Sequence, residues 1–149
     1  MEKWFKVGAV AFLISLLLRP LTTDNLADPD LWGYLAFGRL FWHNQAFPYK
    51  DVFSYVPTLP WVYHEWLTGV LFFPLSQIAG GTVLQLLKYC LGLGTAGLIY
   101  LTARKRGARP VAAVVFLLIV FIPLAHNSYS PVRAQVFTFF FFALSVSVP

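Results

Sequence analysis

The stretch "VLQLLKYCLGLGTAGLIYLTA", residues 83–103, is followed at once by the basic turn "RKRGAR", residues 104–109. About 20 apolar residues in helical conformation are enough to cross the roughly 30 Å hydrocarbon core of a bilayer. Lys88 is the only charged residue inside this stretch. The pattern therefore predicts a membrane-spanning helix that ends at a positively charged boundary.

The composition of the whole chain agrees with a membrane protein. Of its 149 residues 58% are hydrophobic, 18% aromatic and only 11% charged, whereas soluble domains carry about 25% charged residues. The net charge of +5 comes from basic residues that punctuate apolar runs, which argues against a nucleic-acid partner. A single cysteine, Cys90, excludes a disulfide framework within the chain, and we expect it to be a small buried thiol.

Three further apolar runs complete the predicted membrane segments: 7–21, 111–125 and 136–148. Together with 83–103 they predict an all-α, polytopic transmembrane helix bundle. The positive-inside rule places both the N-terminal lysines and the basic turn on the cytoplasmic side, so an even number of crossings must separate them. Because the chain ends within or at the end of the last run, we expect it to be the N-terminal part of a longer protein.

The long loop 22–82 is then extracytoplasmic. Its apolar run 65–79 is too short to cross the bilayer, and Pro74 interrupts it. Asp30 is expected to cap a second short helix from Leu31 to about His43. Tryptophan and tyrosine side chains settle at the headgroup level of membranes. We therefore predict two juxtamembrane helices in this loop, lying on or in the outer leaflet.

Apart from Glu2, every acidic residue lies in this loop: Asp24, Asp28, Asp30, Asp51 and Glu65. Asp28 and Asp30 flank a proline, and two carboxylates at this spacing can hold a divalent cation such as Mg²⁺ or Mn²⁺. One can also act as a general base while the other orients it. The alternative is structural, with Asp30 serving only as a helix cap and Asp28 as a solvated loop residue.

The basic residues Arg19, Lys88 and Arg133 are expected at one depth, near the outer ends of their segments. A charge inside a membrane segment costs about 2.5–3.5 kcal/mol on insertion scales and tends to face a bundle interior or a polar ligand. Arginine grips phosphate oxygens with two hydrogen bonds and lysine acts as a point charge, so a lipid-linked phosphate would suit this layer. The alternative is snorkelling of long side chains to the headgroups.

Three sequence elements carry a resemblance to a known family. They are "DPDLWGYLAFGRLFWHNQAFPYKDVFSY", residues 28–55, "PWVYHEWL", residues 60–67, and "RAQVFTFFFF", residues 133–142. In this order they resemble bacterial polytopic glycosyltransferases of the GT-C type, related to protein mannosyltransferases and aminoarabinose transferases. The motifs D-x-D-x-W, P-x-x-D-x-F-S and W-x-x-H-E-W-L carry the similarity, which covers most of the chain.

The resemblance implies a multi-pass enzyme of the bacterial cytoplasmic membrane. It would transfer a sugar from a polyprenyl-phosphate donor to a lipid, glycan or protein acceptor at the outer face. Asp28 would be the catalytic base, and Asp30 its partner or, with Asp28, a ligand of a divalent metal. The expected substrate-binding residues are Lys88, Arg133, His64, Glu65 and Asp51. The alternative is a non-catalytic transporter or assembly subunit, in which Lys88 and Arg133 line a path.

Overall fold

The computed structural model describes residues 11, 15, 27–56, 59–124 and 132–148. Over these residues all regular structure is helical, which confirms the all-α prediction for this part of the chain. The helices are α1 (Pro29–Asn44), α2 (Trp66–Ala79), α3 (Gly81–Lys105), α4 (Pro110–Leu124) and α5 (Gln135–Ser147). The predicted span 7–21, with Arg19, falls outside the described residues except at positions 11 and 15.

Among the described residues, α3 is the one helix that is long and apolar enough to cross a membrane. Its 25 residues span about 37 Å at roughly 1.5 Å per residue, which exceeds the roughly 30 Å hydrocarbon core. Helices α4 and α5 have 15 and 13 residues, or about 22 and 20 Å. The multi-pass topology through 111–125 and 136–148 therefore stays a prediction.

In the interior of helix α3, one side buries polar side chains and the opposite side exposes apolar ones. Lys88, Thr95 and Thr102 recur every seventh residue and so share one side of the helix. Lys88 and Thr95 are buried, and so is the Thr102 hydroxyl oxygen. Three residues on the opposite side are exposed: Leu86, Cys90 and Leu101. The prediction of a buried thiol at Cys90 was wrong, because this residue lies on the side of α3 opposite the buried Lys88 and Thr95.

A glycine in the basic turn ends α3. The Gly107 N–H donates to the Arg104 carbonyl at 3.0 Å, and the Ala108 N–H donates to the Ala103 carbonyl at 3.0 Å. These two hydrogen bonds form a Schellman motif, which needs a left-handed residue after the helix. Gly107 supplies it with a φ of 89°. The helix thus stops inside the cluster of positive charges, as the sequence predicts.

The described chain forms two compact units. The α1–α2 unit is Asp28–Leu84, and the α3–α5 unit contains the described residues 85–124 and 132–148. The core of the α3–α5 unit comes from all three helices: Ala96, Leu117, Phe121 and Val136. Within "GLGTAG", residues 92–97, a Cβ at Gly94 would lie 2.8 Å from the ring of Phe140. At Gly94 this segment therefore packs closely against α5, which agrees with its interpretation as a helix-packing element.

In the α1–α2 unit the backbones of the two helices touch at a pair of glycines. A Cβ at Gly38 would overlap the carbonyl oxygen of Gly69, and a Cβ at Gly69 would lie 2.7 Å from the carbonyl oxygen of Tyr34. Beside this crossing, Tyr34 packs edge-on against Phe72 with ring centroids 6.0 Å apart. Two short packed helices thus exist as predicted, and their location at a membrane boundary stays a prediction.

Helix α2 continues through Pro74, contrary to the prediction that this residue interrupts it. Proline has no N–H to donate to the carbonyl four residues earlier, which here belongs to Val70. The indole Nε1 of Trp42, on α1, donates to that carbonyl at 2.9 Å. A hydrogen bond from the neighbouring helix therefore replaces the one that Pro74 cannot make.

Candidate functional site

Helix α1 begins at Asp28, which is its N-cap. The backbone there is extended, with φ −63° and ψ 138°, and Oδ1 of Asp28 accepts from the Asp30 N–H at 2.9 Å. Pro29 follows at the first helical position, where its fixed φ suits a helix and a missing N–H costs nothing. The prediction that Asp30 caps the helix was wrong for this reason. Asp30 lies in the exposed first turn, where a negative charge is favoured by the helix dipole.

Asp28 is buried although its neighbours are not. Its side chain is 3% exposed, whereas Ala27, Pro29 and Asp30 are all exposed. The interpretation of Asp28 as a solvated loop residue was therefore wrong. Withdrawing a carboxylate from water costs free energy that hydrogen bonds must offset, and the bond to the Asp30 amide is one of them. The cap also fixes the direction of one carboxylate oxygen.

Tyr63 places a hydroxyl group beside the first turns of α1. Its ring stacks on that of Phe37 with centroids 4.6 Å apart, and a Cβ at Gly33 would lie 3.5 Å from the Tyr63 oxygen. Burial, with the negative charges of Glu65 and Asp30 acting in the same direction, raises the pKa of Tyr63 to about 12. The phenol is therefore a neutral hydrogen-bond donor at physiological pH, and it feels the negative charges of two carboxylates.

Sequence reasoning missed Tyr63. It lies inside the W-x-x-H-E-W-L element, where His64 and Glu65 attracted attention because their side chains titrate or bind metals. In the structure His64 is exposed and Glu65 is half-buried. Glu65 occupies the position before α2, and its side chain makes no capping hydrogen bond. After burial, the negative charge of Glu65 is the next cause of the raised pKa of Tyr63. The substrate-binding roles of His64 and Glu65 stay predictions.

Asp51 stabilises a local turn. Its Oδ1 accepts from the Phe53 N–H at 2.9 Å, and the ring of Phe53 lies 5.8 Å from that of Trp61. The Trp61 N–H donates to the Tyr49 carbonyl at 2.9 Å. The P-x-x-D-x-F-S and W-x-x-H-E-W-L elements thus pack against each other. A role of Asp51 in substrate binding stays a prediction beside this structural one.

The predicted cations belong to the α3–α5 unit. Lys88 lies two turns into α3 and has no exposed surface, and its Nζ lies 5.2 Å from the ring centroid of Tyr89. Arg133 is half-buried and precedes α5, which begins at Gln135. Complete burial argues against simple snorkelling for Lys88, because a snorkelling ammonium group reaches water. The convergence of these cations with the loop acids stays a prediction.

No group of three or more metal-binding side chains occurs among the described residues. Asp28 directs Oδ1 toward an amide hydrogen, so Asp30 is the more accessible of the two carboxylates for a cation. A divalent metal at this pair stays a prediction. Comparison of the chain with protein-family models, curated proteins and solved structures finds no match.

Proposed function

We propose that the chain is part of a membrane glycosyltransferase that moves a sugar from a polyprenyl-phosphate donor to an acceptor at the extracytoplasmic face. The observation that best supports this is the burial of the Asp28 carboxylate at the start of a helix. A buried ionisable group in a membrane protein is costly and commonly marks a functional site. The fully buried Lys88 in the candidate span is a second such group, with a positive charge.

In the proposed reaction, Asp28 takes the proton from the acceptor nucleophile as that atom forms its bond to the anomeric carbon. The bond from this carbon to the phosphate oxygen breaks, and the polyprenyl phosphate leaves with the electron pair. Lys88 and Arg133 stabilise the negative charge on the departing phosphate. The acceptor is a lipid, glycan or protein group.

The remaining acidic and aromatic residues of the loop would bind the sugar. Asp51, His64 and Glu65 offer hydrogen-bonding groups to its hydroxyls, and the neutral phenol of Tyr63 adds a donor. A divalent metal such as Mg²⁺ or Mn²⁺, held by Asp30 with Asp28, would supply further positive charge to the phosphate. The rigid N-cap would keep the Asp28 carboxylate in one orientation for proton transfer.

The decisive variant is Asp28→Asn in the full-length protein. Asparagine caps a helix as well as aspartate does, so the variant removes the base while keeping the cap. Membranes containing the protein would be incubated with a panel of radiolabelled polyprenyl-phosphate sugars and a lipid, glycan and protein extract as acceptor. We expect the rate of transfer to fall at least about 100-fold, the scale of a lost general base.

Asp30→Asn is the matched control, because it removes an exposed carboxylate two residues away. A much smaller loss than for Asp28→Asn supports the base assignment. Equal losses, with activity that depends on added Mg²⁺ or Mn²⁺, would instead assign both residues to a metal. Near wild-type transfer by Asp28→Asn would contradict the proposed role of Asp28. Absence of transfer by the wild type with every donor would favour a non-catalytic subunit.

A further inference from the structure

All charged side chains in the described residues of the α3–α5 unit are basic. Glu65 is the last acidic residue of the chain, so residues 66–149 contain no Asp or Glu side chain. The described residues of this unit carry six basic side chains: Lys88, Arg104, Lys105, Arg106, Arg109 and Arg133. Their counter-charges cannot come from carboxylate side chains of the same part of the chain.

Four of these basic residues lie where α3 ends, and all four are exposed. Arg104 and Lys105 are the last two residues of α3, and Arg106 and Arg109 lie in the connection to α4. The turn has a defined shape because the Schellman hydrogen bonds and the left-handed Gly107 fix its backbone. The Arg104 guanidinium also donates, through Nη1, to the Ala108 carbonyl at 2.6 Å. Several positive charges are thus held close together on one ordered turn, at the end of the candidate span.

We propose that this basic turn, residues 104–109, is a docking surface for the headgroups of anionic phospholipids. A helix that crosses the bilayer must end at a headgroup layer, and α3 ends in this turn. Basic residues just outside a span are attracted to anionic lipids, by about 1 kcal/mol for each Lys or Arg near the surface. The inference needs only α3 in a membrane and does not depend on the proposed transferase reaction.

The test is native mass spectrometry of the full chain, purified in detergent and titrated with phosphatidylglycerol or with phosphatidylcholine of the same acyl chains. We expect preferential retention of phosphatidylglycerol, decreasing as the ionic strength rises. The variant Arg106→Gln/Arg109→Gln should bind this lipid about thirtyfold more weakly, from two lost charges. Both side chains are exposed, and Arg104 with its turn-stabilising hydrogen bond is left in place.

The matched control is Arg39→Gln/Lys50→Gln, which removes two exposed basic side chains from the α1–α2 unit. It should retain phosphatidylglycerol as the wild type does. Circular dichroism melting of all variants would confirm that each is folded, because the helices of both units contribute to this signal. Equal retention of the two lipids, unchanged binding by the Arg106/Arg109 variant, or displacement of the lipid by equimolar inorganic phosphate would each overturn the proposal.

Discussion

The two units of the chain distribute polar groups in opposite ways. The α1–α2 unit exposes polar residues such as Asp30, Arg39 and His64 together with large rings such as Trp32. Helix α3 instead buries Lys88 and Thr95 and exposes Leu86 and Leu101. The first pattern suits a boundary between water and lipid, where both kinds of group are stable. The second would suit a helix surrounded by hydrocarbon.

Both units use glycine for close packing, but with different neighbours. At Gly38 the atoms in the way of a side chain are the Gly69 backbone and the Cβ of Phe73. At Gly94 the obstacle is the ring of Phe140. A backbone carbonyl cannot move without displacing its helix, whereas a ring can rotate. The α1–α2 crossing should therefore tolerate substitution much less well.

The largest effect is expected from Gly38→Ala, which should lower the free energy of unfolding by about 3 kcal/mol through overpacking. Circular dichroism melting in detergent measures it for this variant and for its control, because the helices of both units contribute to the signal. Gly97→Ala is the control, since a Cβ at Gly97 would meet no atom of the described residues within 4 Å. This control should be neutral or stabilise by up to about 1 kcal/mol. A Gly38→Ala protein as stable as the wild type would contradict the glycine crossing.

A second prediction concerns the hydrogen bond that replaces the one missing at Pro74. Trp42→Phe leaves the Val70 carbonyl without its indole donor and should cost about 1–2 kcal/mol. Pro74→Ala supplies an N–H to the same carbonyl, so Trp42→Phe should cost less in that background. Thermal melting of the four proteins gives the coupling free energy. Additive effects of the two substitutions would show that Val70 does not link them.

A third prediction concerns the N-cap at Asp28, whose loss should have a smaller effect on the free energy of unfolding. Asp28→Ala should be about 1 kcal/mol less stable than Asp28→Asn, because only asparagine can accept a hydrogen bond from the Asp30 N–H. Chemical unfolding of the two variants, compared in the same detergent, measures this difference. Asp30→Ala should differ much less from Asp30→Asn. Equal stability of the two Asp28 variants would mean that the cap bond contributes nothing.

The smallest effect is a pH dependence from Tyr63. Its pKa is raised from 10.0 to about 12 by burial, Glu65 and Asp30. A group whose pKa is raised by folding contributes its full stability below the unfolded pKa and loses it as the pH rises through the folded one. As the pH rises from 10 to 12, the wild type should therefore lose free energy of unfolding relative to Tyr63→Phe. Tyrosinate absorbance during alkaline titration would detect the late ionisation directly.

Several features of the fold were predictable because they depend on residues close in sequence. The apolar run 83–103 and the basic turn after it predicted α3 and its end, since length, hydropathy and charge are local properties. The short helix 65–79 was also predictable. Its continuation through Pro74 was not, because the donor to Val70 comes from Trp42, 28 residues away in the chain.

The sequence by itself determined that the described chain is helical, that one segment can span a membrane, and that residues 66–149 carry no acidic side chain. Only the tertiary structure decided that Asp28 is the buried N-cap and that Cys90 is exposed. It also decided that Tyr63 lies close enough to Glu65 and Asp30 for their charges to raise its pKa. The physical reason is that helix formation follows from local pattern. Burial and the environment of an ionisable group depend on which distant segments pack around it.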